Sequence, residues 1–213
     1  MTQVQARPNV AFLASHNGSN MRAIVAACRS GLLNVNPVVL ISNNAGSGAV
    51  DWARDNGLPS FHISATSEGT EAAADAAIAA TLSRYNTDFV VMAGYMRKLG
   101  SETLAAFAGR ILNVHPALLP KYGGKGMYGR FVHEAVLKSG DAETGVTIHL
   151  VDGEYDHGPV VVQVPVSVQS GDTVETLTAR VQAKEQELFP ETLRRIVSGE
   201  IDLDQIARAS RHV

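Results

Sequence analysis

The run Val10-Ala11-Phe12-Leu13-Ala14-Ser15-His16-Asn17-Gly18-Ser19-Asn20-Met21 begins with five apolar residues and passes through a turn of small and polar ones. So short an unbroken apolar run, rich in β-formers, reads as a strand buried on both faces, as strands of parallel sheets are. Beyond the turn, Met21, Ile24, Val25 and Cys28 recur at i, i+3, i+4 and i+7, the apolar stripe of one helix. The alternation continues outward: Val38–Ile41 and Phe89–Ala93 read as further buried strands, and the alanine-rich stretch 70–85 as a second helix of high intrinsic propensity. Strand and helix in alternation imply a parallel sheet covered on both faces.

The second half changes character. Ile111–Val114 is another short strand, and it runs into His115-Pro116-Ala117-Leu118-Leu119-Pro120. Residues 121–130 hold four glycines in ten positions and read as a mobile loop. Val146–Leu150 alternates apolar and polar residues and Val160–Val168 does so loosely, which fits a half-exposed hairpin or edge pair. Pro165 argues for an edge, where its missing N–H costs little. Asp172 and Glu175 have capping-box spacing and open a long helix containing Val174, Leu177, Val181 and Leu188, with Gly199 as its stop. No internal repeat or linker interrupts the chain. The expected fold is α/β and Rossmann-like, a mostly parallel twisted sheet with helices on both faces and an antiparallel edge in the C-terminal half. It forms a single domain over 1–213.

Composition bounds the function. A chain of 213 residues, 45% hydrophobic and 18% charged, has the balance of a globular enzyme. A net charge of −3 lacks the basic excess of a nucleic-acid binder. Cys28 is the single cysteine, so internal disulfides and multi-cysteine metal sites are excluded, and it reads as a small apolar packing residue. The N-terminus from Met1 to Pro8 is polar, without the apolar core of a signal peptide, and no stretch approaches 18 uninterrupted apolar residues. The expected location is the cytoplasm, with no membrane partner.

Three constellations carry chemistry. In Ser15–Asn20 a glycine permits close backbone approach, and the helix behind it presents unpaired N–H groups suited to phosphate. A tight turn with Ser19 or Asn20 as helix cap explains the same residues equally well. Asn113 and His115 fall on one side of an extended segment at the end of a parallel strand, where open α/β sheets place their ligand crevice. Together they can stabilise a developing oxyanion. The acidic turn from Asp152 to Pro159 can supply a carboxylate that orients and charges His115. Metal binding through His115, His149 and His157 lacks any tight ligand pairing, so no metal is expected.

Four strings then occur in order: Asn-Gly-Ser-Asn at 17–20, Ala-Gly-Tyr-Met-Arg at 93–97, Leu-Asn-Val-His-Pro-Ala-Leu-Leu-Pro at 112–120 and Tyr-Asp-His-Gly-Pro at 155–159. Over nearly the whole chain they resemble the folate-dependent formyltransferases of purine synthesis, the glycinamide ribonucleotide transformylases. The resemblance implies transfer of a formyl group from 10-formyltetrahydrofolate to the amine of 5′-phosphoribosylglycinamide by direct attack, without metal or covalent enzyme intermediate. It implies Asn113, His115 and Asp156 as catalytic residues. Gly18, Ser19 and Asn20 would hold the substrate phosphate, and Gln182 and Glu185 the rest of the ribonucleotide. Met96, Arg97, Leu99, Asn113, Val151, Asp152 and Asp156 would line the folate pocket. Residues 8–110 become the phosphate-binding half and 111–200 the catalytic and folate half. Partners would be these small molecules alone, with a monomer or homodimer.

Pattern puts Glu185 exposed beside the stripe of Leu177, Val181 and Leu188. Two departures from the family stand out. Residues 64–70 hold no Arg or Lys where many members carry an arginine, and the loop 121–130 is longer than in some, with Gly123 where proline is common. A formyltetrahydrofolate hydrolase and a non-enzymatic sugar-phosphate-binding module are the alternatives. The hydrolases usually carry an N-terminal regulatory domain, for which no room exists before Val10. A methionyl-tRNA formyltransferase would need a further RNA-binding domain and a more basic surface.

Overall fold

The computed structural model describes residues 7–209, so positions 1–6 of the polar N-terminal segment and positions 210–213 lie outside the described residues. The elements are β1 (Asn9–Leu13), α1 (Ser19–Arg29), β2 (Asn36–Ser42), α2 (Gly48–Asp55), β3 (Ser60–His62), α3 (Ala65–Glu68), α4 (Glu71–Arg84), β4 (Phe89–Met92) and α5 (Ser101–Ala106). They continue with β5 (Ile111–His115), α6 (Arg130–Ser139), β6 (Glu143–Leu150), β7 (Val160–Ser167), α7 (Val174–Val197) and α8 (Leu203–Ala209). One sheet runs β3-β2-β1-β4-β5-β6-β7. Its first five strands are parallel, and β6 and β7 are antiparallel to their neighbours. This is the expected α/β sheet with an antiparallel edge.

Alternation along β1 divides the core. Val10 and Phe12 join Ile24 of α1 and Phe189 and Leu193 of α7 on one face, while Ala11 and Leu13 join Ile78 and Leu82 of α4 on the other. The chain builds outward from β1 to β3, then returns to the far side of β1 with β4. Strand order therefore reverses between β1 and β4, and the crevice opens beyond their C-terminal ends. Among the described residues no helix is long and apolar enough to cross a membrane.

Three local expectations change. β6 is buried after its first residue rather than half-exposed. Its Val146 packs into a core with Val136, Leu177 and Val181, and its polar positions do not meet solvent. The Thr147 hydroxyl donates to Ala117 O at 2.6 Å and accepts from Leu119 N at 3.2 Å, so the His-Pro segment covers that side. The capping box of α7 is Thr173 with Thr176, one position beyond the expected Asp172–Glu175 pair. Asp172 instead accepts two hydrogen bonds from Arg180, at 2.7 and 2.8 Å. The cap of α1 is Gly18 at φ 60, with no side-chain cap, rather than Ser19 or Asn20.

Candidate active site

The turn after β1 is fixed by Ser15. Its hydroxyl donates to Asn43 Oδ1 at 2.5 Å and accepts from Met96 N at 2.7 Å, tying together the loops that follow β1, β2 and β4. Gly18 takes a left-handed backbone there, and a Cβ would lie 3.1 Å from Ala49 Cβ and 3.2 Å from Met21 Cε. Asn20, in the first turn of α1, points inward and donates from Nδ2 to Glu185 Oε2 at 2.9 Å, while its Oδ1 is buried with no hydrogen-bond partner among the described residues. Ser19 is half-buried beside it.

Glu185 corrects the expectation of an exposed side chain: it is 8% accessible. The buried stripe of α7 runs Leu177, Val181, Glu185, Phe189 at four-residue spacing, and Leu188 is only half-buried. Burial pushes the Glu185 carboxyl up, against the pull of the Asn20 hydrogen bond and the charge of His115. Gln182, expected to share a ligand face with Glu185, is exposed.

At the end of β5, Asn113 is half-buried and His115 is 3% accessible. Asn113 lies directly opposite His149 in the antiparallel register with β6. Its Nδ2 is 3.1 Å from His149 Nε2, and His149 Nδ1 is 2.9 Å from Leu150 O. A carbonyl only accepts, so Nδ1–H donates to Leu150 and Nε2 accepts from the Asn113 amide. One Asn113 amide hydrogen is thereby held, and the other is left for the cleft.

His115 sits between two oxygens: Nε2 is 2.7 Å from Tyr122 O, and Nδ1 is 3.4 Å from Asp156 Oδ2. Asp156 adopts φ 54, accepts from Gly124 N at 3.0 Å, and brings Oδ1 to 3.7 Å from His149 Nε2. Burial alone would push the Asp156 carboxyl up. The hydrogen bond from His115, the His149 ring beside it, the charge of His115 and the Gly124 N–H outweigh it, holding the group well below the usual carboxylate range. His133 of α6 is buried, its Nδ1 has no partner among the described residues, and burial together with the charge of His115 holds its pKa down to about 4.

A cavity of about 540 Å³ opens in front of these groups. Of the expected folate residues, Met96, Arg97, Asn113 and Asp156 line it. Leu99, Val151 and Asp152 line an adjoining cleft of about 50 Å³, which Arg97, Asn113 and Asp156 share. His16 reaches the main cavity from the glycine turn, and Tyr128 and Tyr155 stand exposed at its rim. Sequence reasoning assigned no role to His16, Tyr128, Tyr155 or His133, and weighed His149 only as a metal ligand. The antiparallel register alone would have brought His149 to Asn113. His157 pairs with Asp152 at 3.0 Å on the surface, apart from His115.

The formyl transferase family model matches residues 8–193. A chloroplastic phosphoribosylglycinamide formyltransferase of Arabidopsis thaliana is 40% identical over 196 residues, 92% of this chain and 67% of that protein. The phosphoribosylglycinamide formyltransferase of Escherichia coli K12 is 35% identical over 93% of this chain and 92% of its own length. The crystal structure of glycinamide ribonucleotide transformylase 1 from Symbiobacterium toebii superposes with a TM-score of 0.87 at 35% identity, covering 93% of this chain and 92% of that one. With a crevice at the strand-order reversal and likeness of this extent in both sequence and fold, the chain belongs to the formyl transferase family.

Proposed function

We propose that this chain transfers the formyl group of 10-formyltetrahydrofolate to the amine of 5′-phosphoribosylglycinamide, a step of purine synthesis. The observation that carries the reading is the convergence of Asn113, His115 and Asp156 on one cavity beside the glycine turn of α1. The formyl donor supplies an activated one-carbon unit. The cavity has the size of a small-molecule site, and Met92, Met96 and the rim tyrosines suit a flat aromatic ligand. The unheld Asn113 amide hydrogen and the His115 ring stabilise negative charge developing on the formyl oxygen. The ionised Asp156 carboxylate orients His115 and relays the proton released by the attacking amine to N10 of the donor as the N10–formyl bond breaks.

The ribonucleotide phosphate binds the amides of Gly18, Ser19 and Asn20 at the N-terminus of α1. Glu185 and Gln182 hold its ribose and glycinamide parts. Met96, Arg97, Leu99, Val151 and Asp152 hold the donor with Asn113 and Asp156. Residues 8–110 serve the phosphate and 111–200 the chemistry within one domain, acting in the cytoplasm on small molecules as a monomer or homodimer.

Incubation with both substrates tests this. The donor should lose its formyl group only when the ribonucleotide is present. Equal loss without the amine would make the protein a hydrolase, and no loss with both would leave a sugar-phosphate-binding module.

A further inference from the structure

The residue that faces His115 from the glycine-rich loop has no role in the mechanism above. Tyr122 places its main-chain oxygen 2.7 Å from His115 Nε2, opposite the Asp156 carboxylate on Nδ1. To aim its carbonyl there, Tyr122 adopts φ 58, a left-handed conformation that residues with a side chain rarely take. Two residues on, Gly124 N donates to Asp156 Oδ2 at 3.0 Å, so one short stretch of backbone touches both partners of the ion pair.

The tyrosine side chain runs the other way. Its hydroxyl donates to Asp141 Oδ2 at 2.7 Å, just past α6, and lies 2.5 Å from Oγ of Ser139, the last residue of that helix. Lys121 holds the same Asp141 oxygen. Its ring packs against the core of Val136, Val146 and Val181. The phenol is moored to a rigid helix end while the carbonyl of the same residue meets His115.

We propose that Tyr122 is a positioning residue for His115, its phenol moored on Asp141 and Ser139 so that its main-chain carbonyl fixes the imidazole against Asp156. The assignment rests on the reading of His115 given above. The chemistry of the partners gives it content. A carbonyl and a carboxylate both only accept, so the two ring nitrogens are satisfied together only when each bears a hydrogen. Tyr122 thereby sets the ring's orientation and keeps Nε2–H formed, while the phenol itself never reaches the cleft.

Tyr122→Phe removes the phenol hydroxyl and Asp141→Ala removes its carboxylate acceptor, and both keep the ring and backbone of residue 122. Each should lower kcat by roughly ten- to a hundredfold with both KM values unchanged, the scale of a displaced reacting group. The double variant should be no slower than the worse single one. In ¹⁵N-histidine spectra of the full chain, the two His115 ring nitrogens should both report attached hydrogen in the wild type. In either variant the Nε2 signal should shift towards a free, exchanging ring. That spectrum needs no turnover, so if the formyl-transfer reading fails in the substrate assay, the mooring is still judged on its own. Two results would overturn it: wild-type kcat with unchanged His115 signals in both variants, or a fall in melting temperature with kcat and both KM values worsened together.

Discussion

His115 owes its chemistry to Asp156, supplied by a distant segment, the acidic turn before β7, and to Asn113, two residues away on the same strand face. Removing either charged partner removes a unit rather than a contact. His115→Ala and Asp156→Asn should each lower turnover by roughly 10²–10⁴-fold, and the double variant should be little worse than the worse single one. Near-normal steady-state rates in either single variant would break the triplet. Glu185 makes a different prediction because it is buried and bonded to Asn20. Glu185→Gln keeps the shape and removes the charged acceptor, so the ribonucleotide Kd should rise roughly tenfold or more with donor affinity unchanged. Titration calorimetry with each ligand decides it, and an unchanged ribonucleotide Kd leaves α7 as scaffold. Asn113 and His115 were legible in sequence because strand alternation puts i and i+2 on one face. The burial of Glu185 was not, because Phe189 rather than Leu188 carries the buried stripe, one residue round the helix.

At the scale of elements, the N-termini of α1 and α7 separate function from stability. Neither a side-chain cap nor an acidic residue occupies the first turn of α1, which leaves its positive end for an anion. Ser19→Asp puts a negative charge there. It should favour the helix, holding or raising the melting temperature, while the KM for the phosphorylated substrate rises steeply and that for the donor stays put. Equal weakening of both substrates would mean the turn is only structural. The α7 terminus has the opposite design, a reciprocal box between Thr173 and Thr176. Thr173→Ala should cost about 1 kcal/mol in urea unfolding, the usual worth of a cap, while Thr173→Ser keeps most of it. The long apolar runs and the glycine turn made the parallel half of the sheet readable. The buried state of β6 was not readable, because its polar alternation serves the His-Pro segment and Asn113 rather than water.

Several groups give the molecule pH dependence, and among them His133 and Asp156 shift in separate windows. His133 is held at a pKa of about 4 against 6.5 for the free side chain, by burial and then by the charge of His115. A depressed folded value means the unfolded chain binds the proton first. Its contribution is complete above pH 6.5 and is lost as pH falls towards 4. Asp156, held well below the usual carboxylate range, contributes above the ordinary aspartate value of 3.8 and is lost only in stronger acid. Unfolding free energy measured by urea should therefore fall between pH 6.5 and 4 in the wild type and flatten in His133→Gln. Parallel slopes in the two proteins would deny His133 that role. The strand-order reversal between β1 and β4 gathers the glycine turn, the Met96–Arg97 loop and the His-Pro segment at one crevice. The central claim is that this crevice passes a formyl group to the amine of the ribonucleotide. The most direct measurement follows ¹³C in the formyl position of 10-formyltetrahydrofolate by NMR, with and without 5′-phosphoribosylglycinamide, in the wild type and in His115→Ala. Label should appear as the formamide of the ribonucleotide in the wild type alone, and no formate should accumulate when the amine is withheld. Labelled formate released at the same rate with or without the ribonucleotide would contradict the account.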